Sequence, residues 1–122
     1  MREVSKTITS NGKDYKIVFN LNVMEAIQAE YGTLEKWGEL TDGKTEGGEV
    51  DVKALIFGLK EMINEGIEIN NDATGAKDPL LTHKQVGRIL TDVGISKATE
   101  DVNNLVIDST KTDEDIENEK NV

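Results

Sequence analysis

The chain has 122 residues, of which none is cysteine, 36% are hydrophobic and 31% are charged, and its formal net charge is −10. This length fits one domain, and the lack of cysteine excludes a disulfide scaffold, thiol catalysis and cysteine metal sites. The negative charge argues against binding to nucleic acid or an anionic membrane surface, because both interactions need Lys and Arg to neutralise phosphates. No segment has the apolar character of a secretion signal or a membrane span, so the expected compartment is the cytoplasm.

The first predicted element is a β-hairpin between Val4 and Phe19. Two runs rich in β-branched and aromatic residues flank Asn11-Gly12, and both turn residues tolerate the positive φ that a type I′ turn requires. Alternation in the second strand places Tyr15, Ile17 and Phe19 on one face. Because a lone hairpin is only marginally stable in water, this face is expected to cover other elements.

Two short helices are predicted next. The first begins with a capping-box pair, Asn22 and Glu25, and ends at Gly32. The second carries Trp37, which is either a core residue or an anchor for a partner, since tryptophan is enriched at binding hot spots. The glycine-rich segment 41–50 that follows is predicted to be a loop.

The clearest amphipathic helix is predicted to open at Asp51 and to close at Gly66. Its apolar residues follow the i, i+3, i+4, i+7 spacing of one helix face and are Val52, Leu55, Ile56, Leu59, Met62 and Ile63. We interpret this stripe first as core and second as a face for self-association or for a partner. The candidate partner-binding residues are therefore Trp37, Val52, Leu55, Ile56 and Leu59.

The second half of the chain is predicted to contain a polar connection and two more helices. The connection covers residues 68–79. The fourth helix begins with a capping box formed by Thr82 and Gln85 and ends at Gly94, and Ser96 is the expected cap of a fifth helix.

The last fifteen residues differ in composition from the rest. Residues 108–122 hold six acidic side chains and a single large apolar one, Ile116, before the terminal valine. Such a segment buries too little apolar surface to offset its chain entropy. The overall prediction is one α+β domain at 1–107, with an N-terminal β-hairpin followed by four to five short amphipathic helices, and a disordered acidic tail at 108–122.

Residues 38–45 satisfy the pattern G-x-x-x-x-G-K-[ST] of phosphate-binding loops. Such a loop needs a strand before its glycines and a helix that starts at its lysine, because the helix N-terminus holds the phosphates. Here a predicted helix precedes Gly38, and glutamate and glycine follow Thr45. We therefore predict a polar loop instead of a nucleotide site.

Residues 70–75 resemble the first half of a calcium-binding loop, but its twelfth position would be Leu81 and it would contain Pro79. Without the bidentate acid at that position the loop lacks its strongest ligand. His83 is the only histidine, so no second His or Cys is available to complete a transition-metal site. Since no catalytic constellation emerges, we predict a protein that is not an enzyme and uses no cofactor or metal.

The order of elements and their residues resembles a known family. A hairpin ending in Tyr-Lys-Ile-Val-Phe19 runs into a helix closing on Glu30-Tyr31-Gly32, followed by Thr33-Leu34, a glycine-rich loop and an apolar helix built around Leu55 and Leu59. In these features residues 3–93 are similar to the small tail assembly chaperones of siphophages, prophages and gene-transfer agents.

The resemblance implies a binding protein without catalytic activity. Members of this family bind the long helical tape measure protein in the host cytoplasm, keep it soluble until the tail tube forms, and are absent from the mature virion. Two other interpretations stay open. One is a tail or connector component that is retained in the phage particle, and the other is an acidic regulator that mimics nucleic acid in a basic protein groove.

Overall fold

The computed structural model describes residues 4–44 and 47–110 and has the α+β architecture that the sequence predicts. In these residues a two-stranded antiparallel hairpin is followed by five helices. The elements are β1 Val4–Ser10, β2 Lys13–Phe19, α1 Leu21–Tyr31, α2 Leu34–Thr41, α3 Val52–Thr74, α4 His83–Val93 and α5 Ile95–Thr110. Within the described ranges, no helix combines the length and apolar character needed to cross a bilayer.

The hairpin has the predicted two-residue turn at Asn11-Gly12. The φ angles of these residues are +51° and +77°, as a type I′ turn requires, and the turn places Ser10 opposite Lys13. Ile17 and Phe19 on the predicted inward face are fully buried. The hairpin therefore covers the helices, as expected for a two-stranded sheet that cannot be stable alone.

The first helix begins earlier than predicted. Asn20 is its N-cap, and the side-chain Oδ1 of Asn20 accepts hydrogen bonds from the backbone N of Asn22 at 3.1 Å and of Val23 at 3.2 Å. The predicted capping box of Asn22 and Glu25 is therefore wrong. The first helical residue is Leu21, whose side chain is exposed and so does not belong to the apolar stripe that marked the helix in the sequence.

Capping residues set both ends of the α1–α2 connection. Gly32 ends α1 with a φ of +89°, and the Thr33 side chain caps α2 by accepting a hydrogen bond from the Lys36 N. α2 runs one residue into the predicted loop, because Thr41 is buried and its hydroxyl donates to the Trp37 carbonyl at 3.0 Å.

α3 does not close at Gly66, contrary to the prediction. It continues to Thr74 and ends at Gly75, whose φ of +77° is left-handed. Gly66 serves a different purpose: a Cβ at this position would lie 2.7 Å from the Lys16 carbonyl oxygen and 3.7 Å from a methyl carbon of Val18. The glycine therefore permits close packing of α3 on β2, and the first part of the predicted polar connection is helix.

Two asparagines of α3 hold the chain that returns toward α4. The Asn64 side chain donates to the Leu81 carbonyl at 3.0 Å and accepts from the Leu81 N at 2.8 Å. Asn71 makes the same pair of bonds with Asp78, at 3.0 and 3.1 Å. Each amide satisfies one donor and one acceptor of an irregular backbone, so residues 75–82 run along α3 in a fixed position.

α4 begins with the predicted capping box. The Thr82 side chain accepts from the Gln85 N at 3.2 Å, and the Gln85 side chain accepts from the Thr82 N at 2.8 Å. Near the other end of α4, the Asp92 carboxylate accepts hydrogen bonds from the Ser10 hydroxyl at 2.9 Å and from the Asn11 N at 3.2 Å. α4 is thereby tied to the hairpin turn.

α5 is longer at both ends than the sequence predicts. It begins at Ile95, so Ser96 is not its cap, and it extends to Thr110 across the predicted boundary at residue 108. Ser109 is fully buried and continues the inward face that Ala98, Val102 and Leu105 form along this helix. The rest of the predicted disordered tail, 111–122, lies outside the described residues.

The core lies between the hairpin and the helices, and α3 is its centre. The buried side chains come from every element and are mostly aliphatic. The largest of them are Trp37, Phe19, Ile17, Ile27, Leu55, Leu59, Met62, Ile63 and Leu105.

Candidate functional site

The phosphate-loop pattern does not form a phosphate-binding loop in the described residues. Gly38 lies inside α2 instead of following a strand, and the backbone N of Lys44 donates to the Asp42 carboxylate at 2.8 Å. This amide therefore faces a carboxylate of its own loop, whose charge would repel a phosphate. Thr45 lies outside the described residues.

The calcium-like segment is the last turn of α3 and its glycine cap. A helix cannot wrap its alternate oxygens around one ion as a calcium loop does, and the Asn71 amide is already bonded to Asp78. Within the described ranges, no three His, Cys, Asp or Glu side chains converge as a metal site. His83 is the first residue of α4 and is exposed to solvent.

Tyr31 has a shifted pKa, but its surroundings are those of a packing residue. Burial raises the pKa of its phenol, and the charges of Asp51 and Glu30 add to the effect. The ring of Tyr31 meets the ring of Phe57 edge-on, with 5.5 Å between the two centroids. The phenol therefore stays protonated at neutral pH and stabilises the contact between α1 and α3.

The five candidate partner-binding residues divide into two groups. Trp37, Leu55 and Leu59 are fully buried, and the Trp37 Nε1 donates to the Ala54 carbonyl at 2.9 Å. These three belong to the core and present no surface to a partner in the folded chain. The other two, Val52 and Ile56, lie on the first turns of α3 and line an open groove. The predicted partner face is therefore reduced to the N-terminal end of this helix.

We call this concavity the α3–α4–α5 groove, and most of its lining is apolar. It encloses about 650 Å³, and its lining residues are Val52, Ile56, His83, Lys84, Gly87, Arg88, Leu90, Thr91, Gly94 and Ile95. At Gly87 the backbone of α4 carries no side chain, and the Ile56 Cδ1 lies 3.6 Å from the position that a Cβ would take. At its edges, Val52 is 44% and Ile95 43% exposed. Exposed apolar side chains that meet around a concavity are typical of binding sites.

The α4 side of the groove carries positive charge, opposite to the net charge of the protein. Beyond Val52 and Ile95 lies an adjoining concavity whose lining includes Asp42, Glu49 and Glu100. No residue lining the α3–α4–α5 groove itself is acidic, whereas the exposed side chains of Lys84 and Arg88 stand one helical turn apart along α4, beside His83. Neither cation forms an ion pair or a side-chain hydrogen bond with any residue in the described part of the chain. In a chain with ten excess negative charges, this surface favours an apolar ligand that carries negative charge.

A second apolar concavity lies between α2 and α5 and has a different character. Leu34 and Ile107 lie along it, and Ile107 is 55% exposed. Its acidic lining residues are Glu35, Glu39, Asp42 and Glu100. This face carries the negative charge that is typical of the whole chain, so it does not share the charge preference of the α3–α4–α5 groove.

The sequence prediction missed the groove residues on α4 and α5. Lys84, Arg88, Thr91 and Ile95 recur at intervals of four, three and four residues, so a helical period does connect them. Lys84, Arg88 and Thr91 are exposed residues of α4, whereas Ile95 is the first residue of α5. Only the packing of α4 across the start of α3 brings them next to Val52 and makes them part of one surface.

Comparison with known proteins adds no assignment. No protein-family model, curated protein or solved structure matches this chain. The case for function therefore rests on the groove, on the charge around it and on the resemblance in the order of elements.

Proposed function

We propose that this protein is a tail assembly chaperone of a long-tailed bacteriophage or prophage. It binds the tape measure protein in the host cytoplasm during tail assembly and keeps it soluble. It acts by binding alone, without a cofactor, and leaves before the virion is complete.

The observation that carries the proposal is the open α3–α4–α5 groove with two exposed apolar side chains, Val52 and Ile95, at its edges. A long helical client exposes apolar stripes until its final partners arrive. Grooves between helices accept such stripes, because the apolar face of one helix fits between the ridges of its neighbours. A chaperone for this client needs a surface of this kind and no reactive group.

The resemblance supports the same proposal. Its features are the hairpin, α1 ending at Gly32, α2 capped by Thr33, and α3 with Leu55 and Leu59 on its inward face. These features explain how such a domain builds its core. The client is inferred from the resemblance.

The net charge of −10 fits the task as well. Many copies bound along one filament would bring many like charges together on its outside. Mutual repulsion between coated filaments would then oppose their aggregation.

Co-expression with a candidate tape measure protein from the same genome tests the proposal. We expect the client to be insoluble when expressed alone, and to be soluble and to co-elute with this protein when both are made together. A client that stays in the pellet, with no complex in the soluble fraction, would contradict the proposed function.

Mass spectrometry of purified virions separates a chaperone from a retained tail component. The proposal expects peptides of this chain to be absent from the particle while peptides of the tape measure protein are present. Stoichiometric amounts of the chain in mature particles would favour the structural alternative.

A further inference from the structure

We propose that the α3–α4–α5 groove is the docking site for an amphipathic helix whose apolar stripe is flanked by acidic side chains. This inference rests on the proposed function in one respect, namely that such helices are the segments of the client that the chaperone holds. It adds a binding face, a charge preference and the residues responsible for both.

The apolar part of the site explains why the ligand has an apolar stripe. Val52 and Ile56 stand one turn apart at the start of α3, Leu90 forms part of the floor, and Ile95 faces them from α5. Burying the exposed parts of Val52 and Ile95 is favourable, because apolar surface leaves water. Gly87 adds no side chain to this wall of the groove, where the Ile56 Cδ1 lies 3.6 Å from the position that a Cβ would take.

The charged rim determines which helix fits. Lys84 and Arg88 are four residues apart on α4, so their Cβ atoms lie about 5–6 Å from each other along the helix. Acidic side chains four residues apart on an incoming helix have the same spacing and can meet both cations. Since neither cation has an ionic partner within the described residues, no existing ion pair has to break when the ligand binds.

The tail of the same chain is a poor occupant, although it is acidic and contains Ile116. α5 spans about 22 Å between Ile95, which lines the groove, and Thr110, at a rise of 1.5 Å per residue. The six residues from Thr110 to Ile116 cover at most about 20–22 Å when fully extended. Docking of Ile116 in its own groove would therefore need a straight and fully stretched chain.

A second copy of the chain is also a poor occupant. Two copies bring together twenty excess negative charges, twice the formal charge of −10, and like charges oppose association. The described surface around Ile107 does combine apolar and acidic residues. Docking of this surface into the groove of a second copy is therefore one of the outcomes that the experiments below distinguish. A partner helix with acidic flanks satisfies the groove without this repulsion between whole molecules.

Two designed peptides test the charge preference. Both carry the same leucine stripe at helical spacing, and the flanking positions are glutamate in one and lysine in the other. Fluorescence anisotropy with the full chain at low salt should show binding of the Glu peptide that is about 10-fold tighter, with the difference shrinking as salt is added. The net charge of the protein alone would favour the Lys peptide, so this order reports the local rim. Equal or reversed affinities would overturn the proposal.

Reversing the charges of Lys84 and Arg88 tests the same charge preference from the side of the protein. The double substitution Lys84→Glu and Arg88→Glu should reverse the preference, so that the Lys peptide binds more tightly. The control is Lys36→Glu with Lys77→Glu, which changes the net charge equally at two exposed sites that do not line the groove. The inference fails if both double variants change the two affinities to the same extent.

A further pair of variants tests the contribution of the apolar side chains to peptide binding. Val52→Ser and Ile95→Ser together should weaken binding of the Glu peptide by about 10-fold or more, because two contact surfaces are lost. Leu21→Ser removes an equally apolar side chain that is 65% exposed elsewhere, and it should leave the affinity unchanged. Loss of affinity in Leu21→Ser alone would place the binding face on α1 and overturn the proposal.

Two measurements test whether the groove is occupied by the chain's own tail or by a second copy of the chain instead of a partner helix. In the full-length chain, replacing the tail acids with their amides should leave Glu-peptide affinity unchanged, and a marked increase would identify the tail as the natural occupant. The tail acids are Asp113, Glu114, Asp115, Glu117 and Glu119. Sedimentation should show no dimer that depends on Lys84 and Arg88, since such a dimer would identify a second copy as the occupant.

Co-expression with the client separates this inference from the proposed function. The Lys84→Glu, Arg88→Glu variant should fail to keep the client soluble while the Lys36→Glu, Lys77→Glu control succeeds. If the groove variant keeps the client soluble as well as the wild type does, the chaperone function stands and the groove is not its client face. If even the wild type fails to keep the client soluble, the proposed function is contradicted. The peptide measurements alone then test whether the groove binds an amphipathic helix with acidic flanks.

Discussion

At Gly58 the backbone of α3 touches the indole of Trp37. A Cβ at this position would lie 2.3 Å from Trp37 Cζ2 and 2.8 Å from its neighbour Cε2. The same indole donates from Nε1 to the Ala54 carbonyl one turn earlier on α3. The orientation of the largest side chain in the core is therefore fixed by one absent methyl group and one hydrogen bond.

Gly58→Ala should destabilise the protein by about 2 kcal/mol, because the indole must move and overpacking of a full core costs this much. Gly38→Ala is the matched control, since Gly38 is also helical and has no atom within 4 Å of the added Cβ. We expect the control to gain about 0.5–1 kcal/mol from reduced chain entropy in the unfolded state. Urea unfolding, followed by the fluorescence of the single tryptophan, measures the stability of both variants. Equal stabilities of Gly58→Ala and Gly38→Ala would contradict the close contact between Gly58 and Trp37.

The role of Trp37 shows what sequence alone could and could not decide at this scale. The sequence is compatible with either a core residue or an anchor for a partner at this position. What decides between them is the glycine on a different helix, which leaves a space of the right shape. No local pattern connects Gly58 to Trp37, so the choice required the packed structure.

At the scale of one element, α3 depends on its side-chain amides as well as on its apolar stripe. Asn64 is half-buried and pairs both of its amide groups with Leu81, whereas Asn71 makes the same pairing with Asp78 closer to solvent. The contacts lie two turns apart on one face of α3. They give an irregular segment of chain the hydrogen bonds that a strand or a helix would otherwise supply.

Asn64→Ala should cost about 2 kcal/mol, because it leaves a partly buried N–H and C=O of Leu81 without partners. Asn71→Ala should cost about 0.5–1 kcal/mol, since water can replace its bonds to Asp78. Chemical denaturation gives the two stabilities. Hydrogen exchange should also show faster exchange of the Leu81 amide in the first variant only, and unchanged exchange there would argue that the contact does not form.

The length of α3 was the main error in predicting the elements. Gly66 was interpreted as a stop signal, although a glycine also occurs where another backbone approaches closely. Nothing around Gly66 in the sequence shows that the Lys16 carbonyl faces it. By contrast, the Asn11-Gly12 turn and the Thr82 capping box were predicted correctly, because both are made entirely by neighbouring residues.

At the scale of the molecule, the excess of negative charge should weaken the folded state in low salt. Like charges lie closer together in the folded chain than in the unfolded one. The ion pairs Lys60–Glu61 and Lys97–Asp101 are partly or largely exposed, so screening them costs little. The balance is therefore repulsive.

Raising the salt concentration from about 0.01 M to about 0.1 M shortens the Debye length from about 30 Å to about 10 Å. We expect this change to raise the melting temperature by roughly 2–4 °C, the shift that about 0.5 kcal/mol produces in a domain of this size. A variant with three exposed acids neutralised, at Glu25, Glu39 and Glu68, should show a smaller rise. A melting temperature that falls with added salt would contradict the argument.

The candidate site could be predicted only in part, because it exists only at the scale of the molecule. Its residues come from the start of α3, from the polar side of α4 and from the first residue of α5. The apolar pattern includes Val52 and Ile56, which line the groove, and also Leu55 and Leu59, which are buried. The cations of α4 gave no signal, since any surface helix carries such residues.

The contacts between the first and last elements constrain how the chain can fold during synthesis. The hairpin turn is held by Asp92, and β1 packs against both α4 and α5. A ribosome adding about 5–20 residues per second needs about 5–20 s to pass from Ile8 to Leu105. β1 therefore leaves the ribosome before the helices that bury it, and its apolar face stays open to cellular folding factors throughout that interval.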